Sequence, residues 1–395
     1  MESYRTELFF IALAAALAPF LSHLPQRLRM PVVVMEILLG MVIGPQILNL
    51  ASSEGLISML GELGLSFLLF MVGIEIELLP FRGKLLTLAI GGWVLSFVLA
   101  MVSMLFLQSI GLIHVPPVLA AVALSTTALG IVAPILRDSE NIDEDFGKLL
   151  LSAAAMGEFG PLMVITFALI PTHSTVWHTL FMVAFLGITF LVIDMAIRVR
   201  SSPWMDLVSE TMRTSDYLPV RICIAVQALL VALATKFGMN VVIGAFAAGL
   251  VVNLCTEDQD TTDLKQNLNA IGYGFLIPFF FISAGMRFDI SALWSTPLVP
   301  VQITALLVLL VLIRGAPIML YGKLLAPSQK LPFALYSATG LPLIVIVSEI
   351  GVSSGLMSPD KGTILVSAAM ISVILFPILA QKLIAETKVM ENNES

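Results

Sequence analysis

The sequence predicts an all-α polytopic membrane protein of about thirteen transmembrane helices. Three observations carry that prediction. Hydrophobic residues make up 58% of the 395 and charged residues only 12%, with a mean hydropathy of +1.00. A soluble domain carries roughly 25% charged residues. The apolar residues fall in runs of about 17–25, the length that crosses a bilayer, separated by charges, proline or glycine. The lysines and arginines are shared unevenly between the two faces that those runs define.

In order, the runs lie near 7–24, 31–50, 56–78, 85–109, 116–136 and 147–170, then 177–197, then 219–236, 239–255, 268–286, 298–321, 331–354 and 362–384. The first follows an acidic start, MESYRTELFF, with no cleavage-site pattern, and reads as a retained helix. The sixth, KLLLSAAAMGEFGPLMVITFALI (Lys148–Ile170), has one carboxylate, Glu158, near its middle. The eleventh encloses Arg314. Of the 20 lysines and arginines, Arg314 belongs to neither face, four (Arg5, Lys236, Arg287, Lys361) fall to one side, and all the others fall to the opposite side. Positive residues favour the cytoplasm, so the expected topology is N-terminus outside and C-terminus inside. The net charge of −7 sits in loops and tail and does not point to nucleic acid. Cys223 and Cys255 lie in separate apolar runs, and the four histidines are scattered, so neither a disulfide framework nor a metal site follows.

An internal repeat organises the chain. FMVGIEIEL (Phe70–Leu78) aligns with FISAGMRFDI, placing Gly73 over Gly285 and Glu77 over Asp289, an offset of 212. VVVMEILLG aligns with VVIGAFAAG, placing Gly40 over Gly249, an offset of 209. Two copies follow, about 7–170 and 219–384, joined by a linker helix at 177–197. Six helices and one connector invert the second copy relative to the first, as in inverted-repeat transporters. Chance similarity between glycine-bearing apolar helices is the competing explanation. Within the copies, LSTTALGIVAP (Leu124–Pro134) and ATGLPLIVIV (Ala338–Val347) occupy corresponding spans, the fifth and twelfth. Hydroxyls, glycine and proline in mid-membrane interrupt a helix and free its backbone polar groups, which is tolerable only around a protected site. The bland alternative is two kinked helices packed through small residues.

Glu158 lies about ten residues, roughly 15 Å, from the start of its helix, too deep for a short side chain to reach the interface. Burial disfavours the charged form of a carboxylate, so the group either takes a proton or needs a cation. Ser125, Thr126 and Thr127, with carbonyls freed at the interruption, are oxygen ligands for a dehydrated alkali ion. A carboxylate that holds either a proton or a cation is an exchange device, and one exchanged charge implies electroneutral transport. The structural alternative is a Glu158–Arg314 bridge, neutral as a pair. Glu36 in the second run is either a further site carboxylate or a hydrogen-bonding group within the bundle. Glu349 fits an access funnel at the outer end of the twelfth run, and Asp194 pairs most simply with Arg198. No nucleotide loop, nucleophilic triad or metal constellation is present, so an enzyme and a cofactor are not expected. A gated cation channel and an organic-anion symporter are the rival transport readings, the latter supported by Arg314 alone.

These residues bring the resemblance into view. PVVVMEILLGMVIGP (Pro31–Pro45), FLLFMVGIEIEL (Phe67–Leu78), ALSTTALGIVAPIL, IPFFFISAGMRFDI (Ile277–Ile290) and LVSAAMISVILFPILA, in that order, resemble the monovalent cation:proton antiporter superfamily, in particular its second branch. That branch contains bacterial sodium/proton antiporters and potassium-efflux systems. The resemblance implies a thirteen-helix fold with a core domain and a dimerisation domain, and crossed broken helices in the core. It implies a multi-pass protein of the bacterial inner membrane, a homodimer, exchanging sodium or potassium for protons. It assigns the ion-binding carboxylate to Glu158 and the basic residue of the eleventh helix to Arg314. It departs from the family at Gly157, where relatives usually carry Asp, Asn or Gln. The places from which relatives supply the basic residue's acidic partner hold Gly157, Ala153 and Ala154, which leaves Glu158 as the expected partner of Arg314. Glu36, Thr339 and Glu349 are further expected neighbours of the site. The residues 385–395 read as a short cytoplasmic tail with no regulatory domain expected after it.

Overall fold

The computed structural model describes residues 2–23, 31–75, 84–113, 115–129, 131, 132, 136, 145–168, 187, 217–237, 241–256 and 262–394. Every regular element among them is helical. Among the described residues, nine stretches are long and apolar enough to cross a bilayer, and two shorter apolar helices accompany them. The fifth run is described only in part. The linker expected at 177–197 and Asp194 lie outside the described residues, Gly187 apart.

The elements are α1 (Glu2–His23), α2 (Val32–Ile43), α3 (Leu56–Glu75), α4 (Lys84–Ser109), α5 (Pro117–Leu124), α6 (Asp145–Ala168), α7 (Leu218–Lys236), α8 (Val241–Thr256), α9 (Thr262–Ile271), α10 (Ile277–Met286), α11 (Leu298–Gly315), α12 (Pro327–Ser337), α13 (Pro342–Ser353) and α14 (Pro359–Glu394). A π turn, Gly272–Leu276, joins α9 to α10 within one span. Several starts are set by proline at the first helical position, where the missing N–H costs nothing: Pro117 in α5, Pro327 in α12, Pro342 in α13.

The chain divides into two compact units. One comprises Ser53–Glu77 and Thr166–Ser283. In it α8 lies against α3 through paired glycines: a Cβ on Gly73 would stand 2.9 Å from the Gly249 Cα and 2.6 Å from the Phe246 carbonyl oxygen. Helices α7 and α8 are packed as closely, with Gly244 under the Leu230 carbonyl. Gln227 donates to Ser66 Oγ at 3.1 Å, so this buried amide is satisfied inside the bundle.

The other unit comprises Met1–Ser52, Leu78–Ile165 and Ala284–Ser395. In it a Cβ on Gly285 would stand 3.0 Å from the Gly40 Cα. The four glycines that the sequence alignment singles out, Gly73 over Gly285 and Gly40 over Gly249, are thus the ones that meet, two within each unit. This unit also contains both interrupted spans. Helix α5 ends at Leu124; Ser125 N still bonds the Ala121 carbonyl and Thr126 N the Ala123 carbonyl, but Thr127 and Ala128 turn their N–H groups away from the helix before helical structure resumes at Leu129. Helix α12 stops at Ser337, and α13 restarts at Pro342, whose ring would clash with the carbonyl four residues earlier in a continuous helix.

Candidate functional site

The two interruptions lie side by side. Ala128 N donates to the Thr339 carbonyl at 2.7 Å, and Thr127 N donates to the Gly157 carbonyl of α6 at 3.2 Å. Backbone groups released by one broken helix are thus taken up by the other and by α6, the condition for irregular backbone at membrane depth. Gly340 makes the approach feasible, since a Cβ there would come 2.8 Å from Thr126 Oγ1. On the far side Ser372 of α14 accepts from Gly340 N at 3.4 Å and donates to the Ala369 carbonyl at 2.8 Å.

Glu158 reaches this crossing. Its Oε1 accepts the Leu129 backbone N–H at 2.9 Å, directly beyond the first interruption. The side chain is half-buried, whereas Ser125, Thr126, Thr127 and Thr339 are each 1% exposed or less. Ser125 Oγ donates to the Val122 carbonyl at 3.0 Å and Thr126 Oγ1 to the Ala123 carbonyl at 2.9 Å. Each hydroxyl therefore spends its hydrogen on its own helix and keeps oxygen lone pairs for another partner.

Arg314 is 2% exposed and is satisfied by neutral oxygens. Its Nε donates to Thr127 Oγ1 at 3.0 Å and to the Ser337 carbonyl at 3.2 Å; Nη2 donates to Thr127 Oγ1 at 2.6 Å and to the Ala153 carbonyl at 3.2 Å. Nη1 donates to Ser96 Oγ at 3.4 Å, and Ser96 in turn donates to the Ile313 carbonyl at 3.0 Å. None of these bonds goes to Glu158, which corrects the pairing expected from the sequence. Gly157 supplies the reason. A Cβ there would stand 2.9 Å from both Arg314 Nη2 and Thr127 Oγ1, so the guanidinium and the threonine occupy the space that a side chain would fill. Glu158, the next residue, points about 100° further round the helix.

Thr127 also changes role. Its hydroxyl donates to the Ser337 carbonyl at 2.5 Å and accepts twice from Arg314. With its hydrogen and both lone pairs committed, it holds the arginine and has no lone pair left for a cation. Thr339 donates to the Leu335 carbonyl at 3.1 Å and is at the crossing through its own carbonyl. Glu36 is buried in α2, 5% exposed, and joins none of the crossing's hydrogen bonds. Glu349 pairs with Arg287, Oε2 to Nη2 3.3 Å, each side chain about a third exposed (31% and 32%). Ser96, Ser337 and Ser372 also belong to the assembly, and nothing in the sequence marks them. A lone serine in an apolar helix carries no signal beyond packing.

Interrupted helices crossing at mid-span beside a carboxylate and an arginine are the architecture of a secondary transporter. The chain belongs to the sodium/hydrogen exchanger family, whose transmembrane profile matches residues 12–382. It is 27% identical over 392 residues to YjbQ of Bacillus subtilis, which bears a provisional Na+/H+ antiporter name. That match covers 95% of this chain and 62% of YjbQ, so the chain spans less than two thirds of that relative. It is 26% identical over 383 residues to the Na+/H+-K+ antiporter GerN of Bacillus cereus, covering 94% and 95% of the two chains. Among solved structures, the sodium proton antiporter MjNhaP1 of Methanocaldococcus jannaschii superposes with a TM-score of 0.63 over 96% of both chains at 15% identity, a likeness of fold.

Proposed function

We propose that the protein is a secondary active antiporter that exchanges a monovalent cation, sodium or potassium, for protons by alternating access around Glu158. The observation that carries this is the carboxylate's place at the crossing, where it accepts the Leu129 N–H while Arg314 is engaged elsewhere. When Glu158 gives up its proton, a desolvated alkali ion takes it over, helped by oxygens of Ser125 and Thr126. One carboxylate serves both ions in turn, so one proton moves per cation and the cycle is electroneutral. Arg314 keeps its charge throughout and does not enter the exchange. In this reading the protein is a homodimer of two inverted repeats in a bacterial cytoplasmic membrane, with its N-terminus outside and C-terminus inside.

The test is pH-gradient dequenching in proteoliposomes on addition of Na+, K+ or Li+, for wild type and Glu158→Gln. Wild type is expected to move protons against their gradient when Na+ or K+ is added, and Glu158→Gln to abolish this. Proton movement that only follows the membrane potential would identify a channel instead. Cation-driven proton movement retained in Glu158→Gln would remove Glu158 from the carrier role.

A further inference from the structure

We propose that the Ser337 hydroxyl is a ligand of the transported cation, supplied by the second interrupted span; the proposal rests on the antiport reading above. Ser337 is 1% exposed, yet its Oγ has no hydrogen-bond partner among the described residues. The hydroxyls around it are committed: Ser125, Thr126 and Thr339 donate to carbonyls of their own helices, Thr127 is held by Arg314, and Ser372 bonds Gly340. Buried hydroxyls are nearly always bonded, and the exceptions require an explanation.

The position of the residue supplies one. The Ser337 carbonyl accepts from both Thr127 Oγ1 and Arg314 Nε, so the backbone that bears the orphan hydroxyl is pinned at the crossing. The repeat makes the same point independently. The offset of 212 that places Gly73 over Gly285 also places Ser125 over Ser337 and Thr127 over Thr339. Both spans therefore carry Ser-x-Thr where the helix breaks, and under the repeat the two serines are equivalent positions of the two interruptions. The threonines have diverged, since Thr127 holds the arginine and Thr339 bonds its own helix. The serines retain oxygen for a shared guest. A small hydroxyl is a hard, uncharged donor, suited to a dehydrated alkali ion and indifferent to a proton already held by Glu158.

The experiment measures half-saturating Na+ and Tl+ for proton movement in proteoliposomes, using nitrate salts, for wild type, Ser337→Ala and Ser337→Cys. Melting temperatures are taken in choline buffer. Ser337→Ala is expected to raise half-saturating Na+ about fivefold or more, the loss of one ligand oxygen, with the melting temperature in choline unchanged. Ser337→Cys, close in volume but soft, is expected to raise the value for Na+ well above that for Tl+. Half-saturation within twofold of wild type in Ser337→Ala, or equal shifts for the two ions in Ser337→Cys, would overturn the ligand assignment and leave the antiport reading standing. A wild type that moves no protons on addition of any cation would instead overturn the antiport reading, and this assignment with it.

Discussion

Arg314 grips a single oxygen of Thr127 from two directions, Nε at 3.0 Å and Nη2 at 2.6 Å. A buried guanidinium left without acceptors is among the costlier defects a membrane core can carry. Thr127→Val keeps the shape and removes this acceptor, so it is expected to lower stability by about 2–3 kcal/mol, read as a fall in melting temperature. Arg314→Ala is expected to destabilise by a similar or larger amount while leaving the Na+ to K+ preference of transport within twofold. An unchanged melting temperature in both variants would contradict the arrangement.

Gly157 is the position at which a larger residue meets that grip. Gly157→Ala inserts a methyl 2.9 Å from both Arg314 Nη2 and Thr127 Oγ1. Overpacking of this kind costs about 1–3 kcal/mol. The expected result is a lower melting temperature and slower transport, partly restored when Thr127→Ser accompanies it and gives back the volume of a methyl group.

The glycine pairs define close helix crossings, where a side chain has no room. Gly73→Leu and Gly285→Leu each drive a branched side chain into facing backbone, at the Phe246 carbonyl and the Gly40 Cα respectively. Both are expected to abolish folded protein in a thermal unfolding or size-exclusion assay. Gly274→Leu, whose added Cβ meets nothing within 4 Å among the described residues, is expected to fold normally.

Arg287 and Glu349 form an ion pair about a third exposed on each side. Such pairs contribute about 0–1 kcal/mol. Arg287→Gln is expected to leave the melting temperature almost unchanged at moderate salt. A large loss would mean that the pair performs a task beyond its own attraction.

The helical, membrane-spanning class and the two interruptions were legible because they rest on strong local causes: apolar length, and proline beside glycine and consecutive hydroxyls. The family was legible from motifs in order. What Arg314 binds was not. From spacing alone, Glu158 is the nearest opposite charge in sequence to the empty place at Gly157. The fold decides otherwise by geometry: residues 153 and 157 share a face of α6, and Glu158 sits on the next. Thr127 is indistinguishable from Ser125 and Thr126 in the sequence, where three adjacent hydroxyls look alike. Once the chain leaves the helix between them, one faces the arginine and the others do not. Ser96 and Ser337 carry no signal in the sequence, because position along the chain does not reveal which serine of an apolar helix lies beside a buried charge.

The cradle of Arg314 is made of dipoles rather than an acid, so among the described residues nothing bonded to it cancels its unit of positive charge. Any small positive guest settling near Glu158 therefore arrives against a standing repulsion from the same interior. On the proposed cycle that repulsion favours release of the ion, so the charge that Arg314 retains works against trapping the passenger.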